Sequence, residues 1–366
     1  MDGAAGNGHL TVLEWLHANR TEGCTTEAMD AAAANGHLSV LRWLHVNISE
    51  GCTTKAMDQA AENGHLSVVE WLYANRSEGC TTSAWTGASG NGHLSVVEWL
   101  LANCSLVCAA GAMDSAAQSG HLTALEWLYA NSHGKSCSSV GFDQASANGH
   151  LSVLKWLHTN CSEGCSTEAM DCAAGNGHLS VVEWLHINRS EGCTNKAIDK
   201  AATNGHFSVV EWLHSNHSEG CTSDAMDGAA GNGHLTVLEW LHANHTEGCT
   251  TNKAIDKAAT NGHFSVVEWL HSNHSEGCTS DAMDGAAGNG HLTVLEWLHA
   301  NRTEGCTTEA MDAAAANGHL SVVEWLHAHR SEGCVSLEMA PRKYIRGLYD
   351  EGHGSSSREW PPLCSG

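Results

Sequence analysis

The sequence predicts an all-α solenoid of about twelve stacked helix-turn-helix repeats. A string close to AMDxAAxNGHLSVVEWLHAN returns along nearly the whole chain, and self-similarity at a fixed period is the signature of a repeat architecture. Within each copy, the apolar residues follow a helical period, and an Asn-Gly pair interrupts it. No stretch has the alternation typical of a half-buried strand. The chain is therefore expected to fold as a row of short helix pairs.

The copies follow one another in steps of 28 residues, with two steps of 29. Residues 1–40 are identical to residues 283–322, which indicates recent duplication within the gene. We assign residues 1–338 to the solenoid and residues 339–366 to a degenerate cap followed by a disordered tail. The repeats start at residues 1, 29, 57, 85, 113, 142, 170, 198, 226, 255, 283 and 311.

Residues 26–54 serve as the example of one repeat, and its first helix begins near Thr26. Thr26 is a suitable N-cap, because its hydroxyl can accept a hydrogen bond from a free amide of the first turn. The alanines that follow allow a second helix to approach closely, and Met29 can fill a gap between them. Asn35-Gly36 is expected to end the helix, since glycine tolerates the left-handed conformation found after a helix end.

A second helix is predicted from about Ser39 to Val46. Its start resembles a capping box, as in the spacing of Ser67 and Glu70. The helix is apolar on more than one face, which fits a helix covered by neighbouring repeats, and its tryptophan is expected to pack in the core at the repeat interface. Neither helix would be stable alone, so stacking must supply the core.

The repeat resembles the ankyrin repeat, whose pattern runs through Ala-Ala, Gly-His and Val-Val to a series of leucines. The matching pairs are Ala32-Ala33, Gly36-His37, Val40-Leu41 and Trp43-Leu44. The resemblance covers essentially residues 1–335. Ankyrin repeats have about 33 residues, so roughly five are missing from the loop that forms a β-hairpin finger in that family. The resemblance implies binding to other proteins, with the first helix and the turn before it making most contacts.

The charge balance limits the class of partner. The chain has 41 acidic and 17 basic residues and a formal net charge of −24. Binding to phosphates needs lysine and arginine, so this balance argues against nucleic acid and against an anionic membrane surface. No apolar run is long enough to span a membrane, and no secretory signal is visible. We expect an intracellular, cytoplasmic monomer whose partner is a protein with a neutral or basic surface.

The sixteen cysteines and 27 histidines raise the question of metal or disulfide chemistry. Equivalent positions in stacked repeats lie roughly 10 Å apart, too far for a disulfide, so we expect reduced cysteines, with Cys104 and Cys108 as the one locally plausible pair. No compact set of metal ligands recurs, so we expect no metal, no cofactor and no enzymatic activity. Twelve cysteines form one ladder: Cys24, Cys52, Cys80, Cys108, Cys137, Cys165, Cys193, Cys221, Cys249, Cys278, Cys306 and Cys334.

The predicted function is that of a protein-interaction scaffold or adaptor that binds a partner along the concave face. An interaction segment of a larger multidomain protein and a His/Cys metal-binding array are the alternatives. Specificity needs repeats that differ, and residues 85–141 differ most from the consensus. Positions at the start of the first helix also vary. The predicted partner-binding residues are Trp85, Thr86, Leu101, Lys135, Lys55, Gln59, Gln144, Lys196, Lys200, Lys253 and Lys257.

Overall fold

The computed structural model describes residues 1–21, 23–104, 109–131, 137–244, 253–274 and 277–329. Lys135, Cys108 and the predicted cap and tail at 339–366 lie outside these residues. The described residues form 24 helices and no strand, which confirms the all-α repeat prediction. The chain divides into two compact units, Met1–Thr194 and Asn195–Gly366.

The helices form consecutive pairs, in which an odd-numbered helix is followed by an even-numbered one. Their bounds are α1 Asp2–Gly6, α2 Leu10–Asn19, α3 Thr26–Ala34, α4 Leu38–Asn47, α5 Thr54–Glu62, α6 Leu66–Asn75, α7 Thr82–Gly90, α8 Leu94–Asn103, α9 Ala109–Gln118, α10 Leu122–Asn131, α11 Ser139–Ala147, α12 Leu151–Asn160, α13 Thr167–Gly175, α14 Leu179–Asn188, α15 Lys196–Thr203, α16 Phe207–Asn216, α17 Ser223–Gly231, α18 Leu235–Asn244, α19 Lys253–Thr260, α20 Phe264–Asn273, α21 Ser280–Gly288, α22 Leu292–Asn301, α23 Glu309–Ala316 and α24 Leu320–His329.

Within each unit, neighbouring odd-numbered helices pack directly against one another, whereas even-numbered helices touch their neighbours at only a few points. The small alanines of the odd-numbered helices permit this close approach. Most of the described internal repeats bury an equivalent set of apolar side chains, and a fully buried leucine contributes on the order of 2 kcal/mol. In α3 and α4 the buried apolar residues are Ala28, Met29, Ala32, Ala33, Val40, Leu41 and Leu44.

Capping residues set the ends of the odd-numbered helices. The N-cap of α3 is Thr25, not the predicted Thr26, and its side chain accepts a hydrogen bond from the amide of Glu27. The predicted end at Asn35-Gly36 is confirmed, and Gly36 has a φ of 75°. A Cβ at Gly36 would lie 2.7 Å from Nδ1 of His65, so both the conformation and the space require glycine there.

The capping-box prediction for the even-numbered helices is wrong. Helix α6 begins at Leu66, its N-cap is His65, and no side chain caps it. Ser67 is therefore already the second residue of the helix, two positions beyond the N-cap. Backbone geometry at the Gly-His turn starts this helix, because the amide of Val69 already donates to the carbonyl of His65.

The tryptophans do not lie in the core as predicted. Trp43 and Trp71 are half-buried on the even-numbered helices, and Trp15 is 58% exposed. Each of the first two meets a histidine of the preceding even-numbered helix edge to face, with ring centroids 5.4 Å apart for both His17–Trp43 and His45–Trp71. Such aromatic contacts contribute on the order of 1 kcal/mol, so the tryptophans join neighbouring repeats along the outer helices.

Candidate interaction surface

The variable polar residues predicted to bind a partner lie on the odd-numbered helices. Lys55 and Gln59 are exposed and one helical turn apart on α5, so they share one face of that helix. We call these residues and their equivalents the odd-helix row. In the first unit the row comprises Lys55, Gln59 and Gln144, and in the second unit Lys196, Lys200, Lys253 and Lys257.

Successive odd-numbered helices meet along this row. A methyl group added at Gly231, the last residue of α17, would lie 3.2 Å from Cβ of Lys257 on α19. The stem of one lysine therefore lies against the neighbouring helix. In the second unit, α23 begins with the acidic Glu309, but from α15 to α21 the exposed residues at the start of the odd-numbered helices alternate in charge. These residues are Lys196 on α15, Asp224 on α17, Lys253 on α19 and Asp281 on α21.

Three other predicted residues lie elsewhere. Trp85 is 0% exposed and occupies the core position that Met57 fills in the preceding repeat, so it offers no surface to a partner and is corrected to a core residue. Thr86 is half-buried on α7, where its hydroxyl donates to the backbone of α7 itself. Leu101 is half-buried on the even-numbered helix α8, away from the odd-helix row.

An aspartate that joins neighbouring repeats was not recognised from the sequence. Asp58 on α5 accepts hydrogen bonds from the amide and the hydroxyl of Thr81, both at 2.7 Å, and Thr81 is the N-cap of α7. The pKa of the equivalent Asp199 is raised, because the effect of burial exceeds the lowering by the hydrogen bonds from Thr222. The same pair of bonds joins Asp2–Thr25, Asp30–Thr53, Asp143–Ser166, Asp171–Thr194, Asp199–Thr222, Asp256–Thr279 and Asp284–Thr307.

A second polar contact lies where the chain enters and leaves a helix pair. We call this place the base of the pair. It is formed by the ladder cysteine before the odd-numbered helix and the residue after the even-numbered helix. At α5–α6, Arg76 forms an ion pair with Glu78 and contacts the 8% exposed Cys52. The hydrogen bond from Arg76 lowers the pKa of Glu78 to about 2, whereas burial raises the pKa of Cys52 to about 11.

Cysteine replaces the arginine at two bases, and this corrects the expectation that the described cysteines are all reduced. At α11–α12, Cys137 is disulfide-bonded to Cys161, with Cα atoms 5.9 Å apart. At α7–α8, Sγ of Cys80 lies 3.9 Å from Sγ of Cys104. The distance argument considered only equivalent positions of neighbouring repeats and overlooked the return of the chain after each helix pair. Cys108, the partner predicted for Cys104, lies outside the described residues.

The histidines of the Gly-His turns form a structural stack. The ring of His65 lies over Gly36, and the ring of His93 lies over Gly64 in the next repeat. Burial and the neighbouring imidazoles of His65 and His121 lower the pKa of His93. The neutral imidazole is therefore favoured in the folded chain near physiological pH.

The recurring helix pairs define an all-helical repeat protein. A family model described as "Ankyrin repeats (many copies)" matches residues 1–45, 113–158, 142–186, 226–271 and 281–327. The chain belongs to the ankyrin repeat family, whose members are in general protein–protein interaction modules and typically not enzymes. A search of curated proteins found no match. In the part of the chain that the structure describes, no helix has the length and apolar character of a membrane span.

Proposed function

We propose that the chain is a protein-interaction scaffold that binds a partner protein along the odd-helix row. One observation carries the proposal: the residues that join repeats recur, whereas those of the row change from repeat to repeat. Asp58 and Thr81 exemplify the recurring contact, and Lys55 and Gln59 exemplify the changing one. A surface that varies among repeats on a constant frame offers different contacts along the chain, which recognition of one partner requires.

Charge supports a partner with both signs at the contact. The net charge of −24 attracts a basic protein at long range. The exposed Lys253 and Lys257 would pair with acidic groups of the partner at short range, and the exposed Asp224 and Asp281 would pair with basic ones. An intracellular location and a monomeric state complete the proposal. Cell fractionation and the mass measured in solution test these two points.

Affinity capture from the source cells tests the binding surface. The bait is the full chain, compared with Lys55→Ala/Gln59→Ala in the first unit and Lys253→Ala/Lys257→Ala in the second. We expect at least one of the two variants to lose a captured protein by about tenfold or more, as for truncated contact residues at interfaces. Retention of every captured protein by both variants would refute the proposal.

A matched control removes exposed basic side chains from the even-numbered helices. Arg42→Ala/Lys155→Ala changes α4 and α12, where both side chains are exposed. The control variant is expected to retain the partner. If it lost the partner, binding would depend on the overall basic charge of the chain and not on the odd-helix row. A further bait, in which two consensus repeats replace residues 85–141, tests whether the divergent repeats carry the specificity.

A further inference from the structure

The base of the helix pair α7–α8 carries two thiols in contact. Cys80 precedes α7, Cys104 follows α8, and their Sγ atoms are 3.9 Å apart. The base of α11–α12 has the same arrangement, with Cys137 before the first helix, Cys161 after the second and a disulfide between them. In both cases the cysteines are 24 residues apart. The two bases therefore share one geometry.

The position after the even-numbered helix usually serves a different purpose. Among the described repeats, cysteine occupies it only at Cys104 and Cys161, and each faces a ladder cysteine. Arg76 and Arg189 occupy the equivalent position at α5–α6 and α13–α14, where each forms an ion pair with a glutamate two residues later. The residue at this one position thus decides whether the base carries an ion pair or sulfur chemistry.

We propose that Cys80 and Cys104 are a redox-responsive pair that closes to a disulfide and fastens the base of α7–α8, as the disulfide between Cys137 and Cys161 fastens α11–α12. Closure requires the two sulfur atoms to approach by about 2 Å, because a disulfide bond is about 2.05 Å long. Both side chains are half-buried, so a small oxidant has access. The helix pair that the disulfide encloses carries Trp85 and Thr86, in the divergent part of the chain.

The oxidant is a low-molecular-weight disulfide such as glutathione disulfide. The Cys104 thiol loses its proton to solvent, and its thiolate attacks one glutathione sulfur, so that an S–S bond forms and one glutathione thiolate leaves. The Cys80 thiol then loses its proton and attacks Sγ of Cys104, which expels the second glutathione. Two protein thiols are oxidised, and one glutathione disulfide is reduced to two thiols.

The surroundings favour this order of attack. Burial and the neighbouring Cys104 raise the pKa of Cys80, so its thiolate is scarce near neutral pH. A scarce thiolate is a poor first nucleophile, but Cys80 is held beside the mixed disulfide that it must resolve. The closed form is independent of any partner, so failure of the redox proposal and failure of the proposed binding function are distinguishable.

Thiol trapping on the full chain tests the pair. The protein is equilibrated with glutathione buffers from fully reduced to mostly oxidised, quenched in acid, alkylated and cut after glutamate. Cleavage after Glu78, Glu98 and Glu126 places Cys80 and Cys104 in separate peptides, 79–98 and 99–126. We expect these two peptides to become linked as the oxidised fraction rises. Complete alkylation of Cys80 at ratios that keep the disulfide of Cys137 and Cys161 intact would overturn the proposal.

Two variants assign the bond within the second peptide, which also contains Cys108. Cys108→Ala is expected to keep the link. Cys104→Arg, which places the residue of α5–α6 at this base, and Cys104→Ser are both expected to abolish it. A link that survives in the Cys104 variants and disappears in Cys108→Ala would also contradict the proposal.

Thermal unfolding gives a second readout. The cross-link closes a loop of roughly 25 residues and so lowers the conformational entropy of the unfolded chain. Oxidation is therefore expected to raise the Tm of the native protein by about 5 °C more than that of Cys104→Ser. An equal rise in both proteins would mean that the link does not restrain α7–α8, against the proposal.

Discussion

The helix pairs α5–α6 and α7–α8 are neighbours with the same helix lengths, nine and ten residues, and threonine N-caps on their first helices. Their bases differ, because Arg76 and Glu78 form an ion pair beside Cys52, whereas Cys104 stands next to Cys80. The fold is therefore insensitive to the chemistry at the base. One residue changes that chemistry without moving a helix end.

The cores of the two pairs also differ. Helix α5 buries Met57 and Ala61, and α7 buries Trp85 and Ser89 at the same positions. Among the described residues, neither Nε1 of Trp85 nor Oγ of Ser89 has a hydrogen-bond partner. A buried polar group without a partner costs on the order of 1–3 kcal/mol. The core of α7–α8 thus carries two polar groups without partners that Met57 and Ala61 do not introduce in α5–α6.

The largest expected effect on stability comes from removing the Asp58–Thr81 contact, which joins α5–α6 to α7–α8. Asp58→Ala removes the acceptor of both hydrogen bonds from Thr81 and leaves the amide of the α7 N-cap without its partner. We expect the free energy of unfolding to fall by about 3 kcal/mol, because hydrogen bonds to a charged group are each worth roughly 1.5–3 kcal/mol. Chemical denaturation followed by circular dichroism measures the loss. Asp58→Asn keeps one acceptor and should lose less; an equal loss would argue against the hydrogen bonds as the cause.

A second experiment transfers the sulfur chemistry from one pair to the other. Arg76→Cys places a thiol opposite Cys52, in the register of Cys80 and Cys104. Under oxidising conditions, we expect a disulfide and a net gain of about 2 kcal/mol, after the lost ion pair is deducted from the cross-link. Thiol trapping and denaturation measure both. Arg76→Ser is the control without a second thiol. If Cys52 stays reduced in Arg76→Cys, a cysteine after the even-numbered helix is not sufficient for a disulfide at the base.

The sequence predicts the helix pairs and their limits well, because the period and the Asn-Gly turns are local signals. It mislocates the cap at Thr26 by one residue, since either hydroxyl of the Thr-Thr pair satisfies the capping pattern. It also misplaces the tryptophans, because an apolar pattern on a short helix does not show how far apart neighbouring even-numbered helices lie.

Contacts between repeats are the part that sequence reasoning did not reach. The Asp58–Thr81 contact spans 23 residues, and the contact of Cys80 with Cys104 spans 24. Both contacts form only because the chain turns back after a helix pair, and the local sequence pattern does not show where it returns. A constant spacing from a once-per-repeat aspartate to a once-per-repeat threonine was the available signal. For the odd-helix row, variation among repeats led to positions that are exposed at Lys55 and half-buried at Gln144 and Lys200, and it missed the burial of Trp85.

A smaller gain is expected from repairing the core of α7. Ser89→Ala restores the residue type found at Ala61 and removes a buried hydroxyl without a partner. We expect about 1 kcal/mol of added stability. The matched control is Ser146→Ala, because Oγ of Ser146 is also buried but donates to the carbonyl of Phe142 at 2.8 Å. Denaturation midpoints compare the two; a gain for Ser146→Ala as large as for Ser89→Ala would show that the missing partner is not the cause.

The smallest effect concerns the ion pair at the base of α5–α6. The pKa of Glu78 is lowered from 4.5 to about 2, mainly by the hydrogen bond from Arg76. A folded-state pKa below the unfolded value stabilises the fold above pH 4.5, and that stability is lost as the pH falls from 4.5 to about 2. The side chain of Glu78 is 24% exposed, so solvent screening keeps the expected contribution at about 1 kcal/mol or less.

The comparison of Glu78→Gln with the native chain isolates this contribution, because the other carboxylates are common to both proteins. The stability difference should be largest at neutral pH and should vanish by about pH 2. Glu163→Gln is the matched control at the base of α11–α12, where Cys161 stands in place of the arginine and supplies no cation. Its stability should stay close to native at every pH. If both substitutions produced the same pH profile, the effect would belong to the loop glutamate in general, and the ion pair at α5–α6 would not be a stabilising feature that the cysteine bases lack.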